Sequence, residues 1–391
     1  MKLTKIFTLM LILYPITAIY NSPIPGLDIG TLGFILIAPI MFFKMLRRGD
    51  KLYVPSAFIV LLLYSFLITI VQPILPNSYY YTSFSTILTR MLRFEFVMFV
   101  VILMGFKNFF DFQYGIEKVR LVTIIASFYA IVQQLSFTTL GVVLPHRIDR
   151  ILSSSADFIV PSGGYRAYSF FSEPSHFGYY MVIFLSYSLF SSNKQKKASR
   201  DALIITAGVI ATTSGQALVA ASLIWAVWLL KIIFNKYQNV EKLIKKIIFL
   251  PLVLAVAIYF FRNSGIVEYT IYRVYDFNEM AVQGGFTGRA GGYNWFQELP
   301  LQLQIFGVGY GNWPETVYFS SGARLLFGTG YISAILVLYI LAKVLYRGAS
   351  YQKIISSCFL VLMIGGGVYT ATWMAFYLPF MLYRHKKSGA L

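Results

Sequence analysis

Charge is what this chain has least of. Charged residues make up 12% of its 391 residues, about half the roughly 25% of a soluble protein, so too little polar surface exists to cover a water-soluble globule. Acidic residues are scarcer still, 15 against 33 Lys and Arg. No DXD-like pair occurs that could hold a metal-bound nucleotide sugar. The single cysteine, Cys358, excludes an intramolecular disulfide and leaves no basis for a cysteine metal site. There are three histidines, and no spacing of His, Cys, Asp or Glu suits a metal. A Walker loop is also absent, so nucleotide-driven chemistry on the cytoplasmic side is not expected, and no cofactor is.

Apolar residues are abundant: 58% of the chain, with a mean hydropathy of +0.68. The expectation is an all-α polytopic membrane protein, a single integral-membrane domain over 1–391. Because a helical span needs about 20 apolar residues, twelve segments qualify: 6–20, 28–43, 54–71, 87–106, 121–138, 174–190, 202–213, 216–234, 247–261, 325–345, 354–369 and 371–383. The first follows Lys2 and Lys5 as a signal peptide would, but it lacks a small-x-small cleavage site and reads as an uncleaved anchor. The formal charge of +18 is then not a nucleic-acid signature. It reflects basic residues retained on the cytoplasmic side.

With both termini inside, every lysine falls in a cytoplasmic loop or tail or at the cytoplasmic end of a span, from Lys2 and Lys5 to Lys386 and Lys387. The same bias splits the apolar run 202–234, whose two flanks are both basic. Thr212-Thr213-Ser214-Gly215 is therefore expected to turn a hairpin. The basic residues left over are all arginine: Arg90, Arg93, Arg147, Arg150, Arg166, Arg262, Arg273, Arg289 and Arg324. Arginine keeps its charge and binds phosphate oxygens through a planar fork. The set suits an anion on the outer side, although each arginine alone could equally be kept by a structural partner.

Two long outer loops are expected, 139–173 and 262–324, each carrying short helices. Val143, Leu144, Ile148, Ile151 and Leu152 recur at helical spacing, as in a helix lying in the interface. The loops are rich in aromatic residues, among them Tyr165, Tyr293, Trp295 and Trp313. Such residues form either an interfacial belt or a surface on which sugars stack.

The densest chemistry is the run from Arg166 to Gly178, which contains Ser172-Glu173-Pro174-Ser175-His176. Pro174 suits the first helical turn and Ser172 its N-cap. Glu173 would then either interact with the helix dipole or act as a general base, with His176 as the alternative. A second run holds Thr287-Gly288-Arg289, where a helix start and a guanidinium would favour an anion. The glycines of Phe306-Gly307-Val308-Gly309-Tyr310-Gly311 allow tight turns. In the fourth span Arg90 and Arg93 share a helix face. They could neutralise a lipid pyrophosphate, or pair internally with Glu95 or a loop carboxylate.

These runs resemble the bacterial O-antigen polymerase family, which is related to the O-antigen ligases. RAYSFFSEPSHFGYYM resembles the family's Arg-x-x-small-x-Phe-x-Glu-Pro-Ser signature, TTSGQALVAA its Thr-x-Ser-Arg-Gly turn, and TGRAGGYNWFQELPLQLQIFGVGYGNW its Gly-Arg to Gly-Asn block. The likeness covers about residues 50–380. Gln216 replaces an arginine common in the turn, and no histidine stands between 177 and 384, where ligases use one. The resemblance implies a GT-C-like, metal-independent glycosyltransferase of the bacterial inner membrane. Such an enzyme transfers an undecaprenyl-pyrophosphate-linked glycan chain onto the non-reducing end of a lipid-linked repeat unit, at the periplasmic face. It implies Glu173 or His176 as base, Arg166, Arg289, Arg90, Arg93 and Arg273 at the pyrophosphate, and Tyr165, Tyr293, Trp295 and Trp313 at the sugars. The partners implied are those lipid-linked substrates and the bilayer, with a chain-length-regulating co-polymerase left open. Ligation of finished polymer, or flipping of lipid-linked oligosaccharide, are the alternative activities.

Overall fold

The structure is a computed structural model, and its described residues are 2–24, 26–53, 55–75, 80–146, 165–191, 196–234, 286–314 and 317–383. Every named element among them is helical: α1 (Leu3–Thr17), α2 (Ile29–Arg48), α3 (Ser56–Val71), α4 (Phe84–Met98), α5 (Phe106–Phe109), α6 (Phe112–Leu140), α7 (Pro174–Phe190), α8 (Lys196–Ala211), α9 (Gly215–Ile233), α10 (Phe286–Gln297), α11 (Leu301–Phe306), α12 (Ser321–Arg347), α13 (Ser350–Gly365) and α14 (Ala371–Leu382). Among the described residues, five helices are long and apolar enough to cross a membrane: α2, α3 with the 3-10 turn that extends it, α6, α9 and α12. Three shorter ones, α1, α13 and α14, are also apolar. The span expected over 247–261 lies outside the described residues, as does most of the interfacial helix expected near 143–152.

Several boundaries move, for local reasons. α6 begins nine residues earlier than the apolar run because Glu117, Lys118 and Arg120 are good helix formers and carry the helix on to Phe112. The fourth span does not stop at Phe106: α4 continues through a π-helical stretch, Phe99–Gly105, into α5, which ends at Phe109. Phe7 packs against Gly105 there, where any Cβ would collide with its ring. α2 is capped by Asp28, whose carboxylate accepts from Thr31 N at 2.7 Å and from Thr31 Oγ1 at 2.9 Å. It ends at Gly49, a left-handed residue (φ 64°) after Arg47 and Arg48, as helix ends favour.

The chain forms two compact units, divided within α6 after Val122. In the first, built on Met1–Val122 and Phe286–Leu391, the decisive feature is a broken helix. Gly330 of α12 has φ 67° and ψ −173°, which frees carbonyls above the break. Phe327 O and Gly328 O accept from Val308 N (3.0 Å) and Gly309 N (2.8 Å), so the loop after α11 is stitched into the helix. Gly307, Gly309 and Gly311 all have positive φ, the turn geometry the glycines were expected to supply. The loop is buried, and its polar groups are therefore matched: Tyr310 N donates to Thr69 Oγ1 (2.8 Å), Asn312 Nδ2 to Val308 O (2.9 Å), and Asn312 Oδ1 accepts from Tyr81 N (2.9 Å).

The second unit, within Thr123–His146 and Asp157–Gly285, is centred on α7, which is buried along nearly its whole length. α8 ends at Ala211 and α9 begins at Gly215 behind the Ser214 cap, so the expected turn is where the basic flanks required it. Thr213 takes a left-handed conformation (φ 49°) in that turn. Gly178 brings α7 against α9 so closely that a Cβ would collide with Ala217. The loop leading into α7 is pinned to α6: Ser169 N donates to Gln133 Oε1 (2.7 Å) and Ser169 Oγ to Ala126 O (2.8 Å).

Candidate functional site

Two polar clusters stand out, one in each unit. In the first unit, the buried loop delivers Trp313, 9% exposed, between residues of two helices. The Arg90 guanidinium carbon of α4 and that of Arg324 of α12 each lie 5.5 Å from the Trp313 ring centroid. The two cations are thus no farther apart than twice that distance, against one indole whose face attracts positive charge. Arg90 Nη1 also donates to Gly311 O at 2.9 Å. Tyr310 completes the wall, its ring 5.5 Å from Trp313 and 4.6 Å from Phe94.

Arg324 lies in the first turn of α12, where the helix dipole disfavours a cation. Its Nε is buried with no hydrogen bond, and among the described residues it forms no ion pair. Buried polar atoms are normally satisfied, so this arrangement calls for an anion.

Arg93 behaves differently. It pairs with Asp28 at the start of α2, so the internal-pair alternative holds for it, with a carboxylate other than Glu95. Its Nε is buried without a hydrogen bond. Sequence reasoning missed Asp28 and did not single out Arg324 from the other outer arginines. The signal available for Arg324 was its place at the start of a long apolar run, the wrong end of a helix for a cation.

Arg289 falls in the first turn of α10, as expected, but its side chain lies outside the described residues, as does all of Arg273.

The four aromatic residues expected at the sugars differ in their surroundings. Trp313 is buried and gives its ring to two guanidinium groups. Tyr165 is 5% exposed and stacks on Phe137 at 4.7 Å. Burial, with Tyr129 and Tyr168 nearby, pushes its phenol up to about 12, so it stays neutral. Tyr293 is anchored by its hydroxyl to Ile364 O at 2.9 Å. Trp295, half-buried and edge-on to Tyr81 at 5.5 Å, keeps part of its ring exposed.

In the second unit, Glu173 is itself the N-cap of α7, with Pro174 in the first turn. Ser172 was expected as that cap; instead its Oγ lies 2.7 Å from His176 Nδ1. The reason is one of register: the cap residue immediately precedes Pro174, which leaves Ser172 outside the helix and facing the next turn. Glu173 is exposed, and its Oε2 accepts from Ser175 Oγ at 2.9 Å. The His176 ring lies 5.5 Å from that of Tyr179, whose hydroxyl donates to Gln216 Oε1 on α9. Arg166 stands in the preceding loop, half-buried, with Nε making no hydrogen bond.

Comparison with protein-family models, with curated proteins and with solved structures returns no match.

Proposed function

We propose that the protein is a polysaccharide repeat-unit polymerase of the O-antigen type. In this reading it is a glycosyltransferase of the bacterial inner membrane with about twelve crossings in a GT-C-like arrangement, both termini cytoplasmic and its chemistry at the periplasmic face. The observation that carries the reading is the pair Arg90 and Arg324 against Trp313. Two permanent cations share one ring, and one of them has an unmet donor. A lipid pyrophosphate is an anion that reaches such a place with its chain in the bilayer.

The reaction transfers a glycan from that carrier. The acceptor hydroxyl, on the non-reducing end of a lipid-linked repeat unit, attacks the anomeric carbon of the growing chain. The bond from that carbon to the phosphate oxygen breaks, and undecaprenyl pyrophosphate leaves with the electron pair. Arg90 and Arg324 stabilise the charge that develops on it, with Arg166, Arg289 and Arg273 as further candidates. Fixed donors of this kind are worth about 3–4 kcal/mol each. Glu173 and His176 are the candidates for the base that takes the hydroxyl proton. Trp295 is the aromatic residue best suited to a sugar face.

The test is the lipopolysaccharide of a deletion strain on a gel, with lipid-linked intermediates assayed beside it. Core carrying one repeat unit, restored to a ladder by the wild-type gene but not by Arg324→Ala or Arg90→Ala, is the expected result. Bare core with finished polymer still on its lipid would mean a ligase. Bare core with single units held on the cytoplasmic face would mean a flippase, and the arginine argument would fail.

A further inference from the structure

We propose that Tyr310 is a further phosphate-binding residue, whose hydroxyl adds an uncharged donor to the guanidinium groups of Arg90 and Arg324. The assignment rests on reading that arginine pair as the seat of a lipid pyrophosphate.

Tyr310 is fixed at its backbone and its ring. Its N donates to Thr69 Oγ1 at 2.8 Å, and the neighbouring Gly309 N donates to Gly328 O at 2.8 Å, one helical turn beyond Arg324 in α12. Its ring lies 4.6 Å from Phe94, 5.5 Å from Trp313 and 6.4 Å from Tyr369. The residue is 5% exposed, yet among the described residues its hydroxyl makes no hydrogen bond. A buried hydroxyl without a partner is costly, and an acceptor that reaches it recovers that cost.

The surroundings select the sign of that acceptor. Four charged groups bear on the Tyr310 hydroxyl, Arg324 most strongly, then Glu95, Arg93 and Arg90. Arg93 is matched by Asp28, so Arg324 and Arg90 outnumber the one remaining carboxylate. Burial raises the phenol well above its ordinary range, and Arg324 only partly offsets this. The hydroxyl therefore keeps its proton and acts as a donor.

Three elements meet at the Trp313 ring: Arg90 comes from α4, Arg324 from α12 and Tyr310 from the loop after α11. Guanidinium groups take phosphate oxygens in the plane of the fork. A phenol from the loop adds a donor from a different direction, which orients the group as well as neutralising it. Fixed donors of this kind stabilise charge as it develops on a leaving group. No bond to Tyr310 forms or breaks.

Tyr369 supplies the control. It is 1% exposed, its hydroxyl is buried without a hydrogen bond, and the groups that bear on it are Tyr310 and Glu95, with no arginine.

The full-length protein in phosphatidylcholine nanodiscs, titrated with undecaprenyl pyrophosphate, tests the assignment. Tyr310→Phe removes a hydroxyl that has no partner in the fold, so its melting temperature should match the wild type. Its affinity should fall roughly tenfold or more, as for a hydrogen bond to a charged group. Tyr369→Phe should bind as the wild type does. Inorganic pyrophosphate should compete with the lipid and phosphatidylglycerol should not; displacement by phosphatidylglycerol would make this a site for any lipid phosphate and overturn the proposal. Wild-type affinity in Tyr310→Phe overturns it too, as does an equal loss in Tyr369→Phe, which would assign the effect to aromatic packing. The two readings fail separately. If Arg324→Ala binds as tightly as the wild type, the arginine pair is not the seat and both fall. If Arg324→Ala loses affinity while Tyr310→Phe keeps it, only this inference falls.

Discussion

Trp313 does two jobs that substitution can separate. Its buried indole fills space between the loop and α12, and its face holds Arg90 and Arg324. Replacing a buried aromatic by alanine costs about 3–5 kcal/mol, so Trp313→Ala should lower the melting temperature and abolish polymer together. Trp313→Phe keeps a ring of weaker cation affinity; it should fold near normally yet yield shorter chains. Equal chain lengths in Trp313→Phe and wild type would deny the ring its electrostatic role. A second contrast concerns the carboxylate. Glu173→Gln still offers an oxygen to Ser175, so it should keep partial activity, while His176→Asn should lose polymer with normal protein level. The reverse ranking on a gel would make Glu173 the base. Residue types at both clusters were readable from the chain, because arginine outside the lysine-bearing loops and a histidine beside Pro174 are local signals. The partners were not. Asp28 is 65 residues from Arg93 in the chain, and only packing of α2 against α4 brings them into an ion pair.

Among the elements, α12 is the one whose irregularity matters most. Its break at Gly330 has φ 67°, and a Cβ at that point would collide with the Ile305 carbonyl. Gly330→Ala therefore has both a backbone penalty, of order 1–3 kcal/mol, and a clash that pushes the loop after α11 away. Its melting temperature in detergent should fall by several degrees, taking Arg324 out of register and shortening polymer. A variant as stable and active as wild type would show that the stitched loop is incidental. Hydropathy gave α12 only as an apolar run from 325. It could not disclose that the helix starts at Ser321 and breaks inside, since a left-handed glycine is silent in an apolar window. The α8–α9 hairpin was legible for the opposite reason. Two basic flanks around one apolar stretch demand an even number of crossings, and the polar turn between them supplies the Ser214 cap.

For the molecule as a whole, composition alone led to helices surrounded by lipid, and the exposed side chains agree with that setting. Leu36 and Ile335 are each 65% exposed on helices of crossing length, a surface that water would not tolerate at this extent. What composition does not reach is which end of each helix faces outward, and the polymerase reading depends on it. On the lysine distribution, the expectation is that 139–173 lies outside and the loop of Lys194, Lys196 and Lys197 inside. Cysteine labelling is well suited to testing this, because the one native thiol, Cys358, is buried and gives little background. Ser155→Cys should react with a membrane-impermeant maleimide in intact spheroplasts. Asn193→Cys should react only after the membrane is opened. If the pattern were inverted, the arginine clusters would face the cytoplasm, where lipid-linked units are built rather than joined, and the outer-face reaction would be untenable even with every side-chain contact intact.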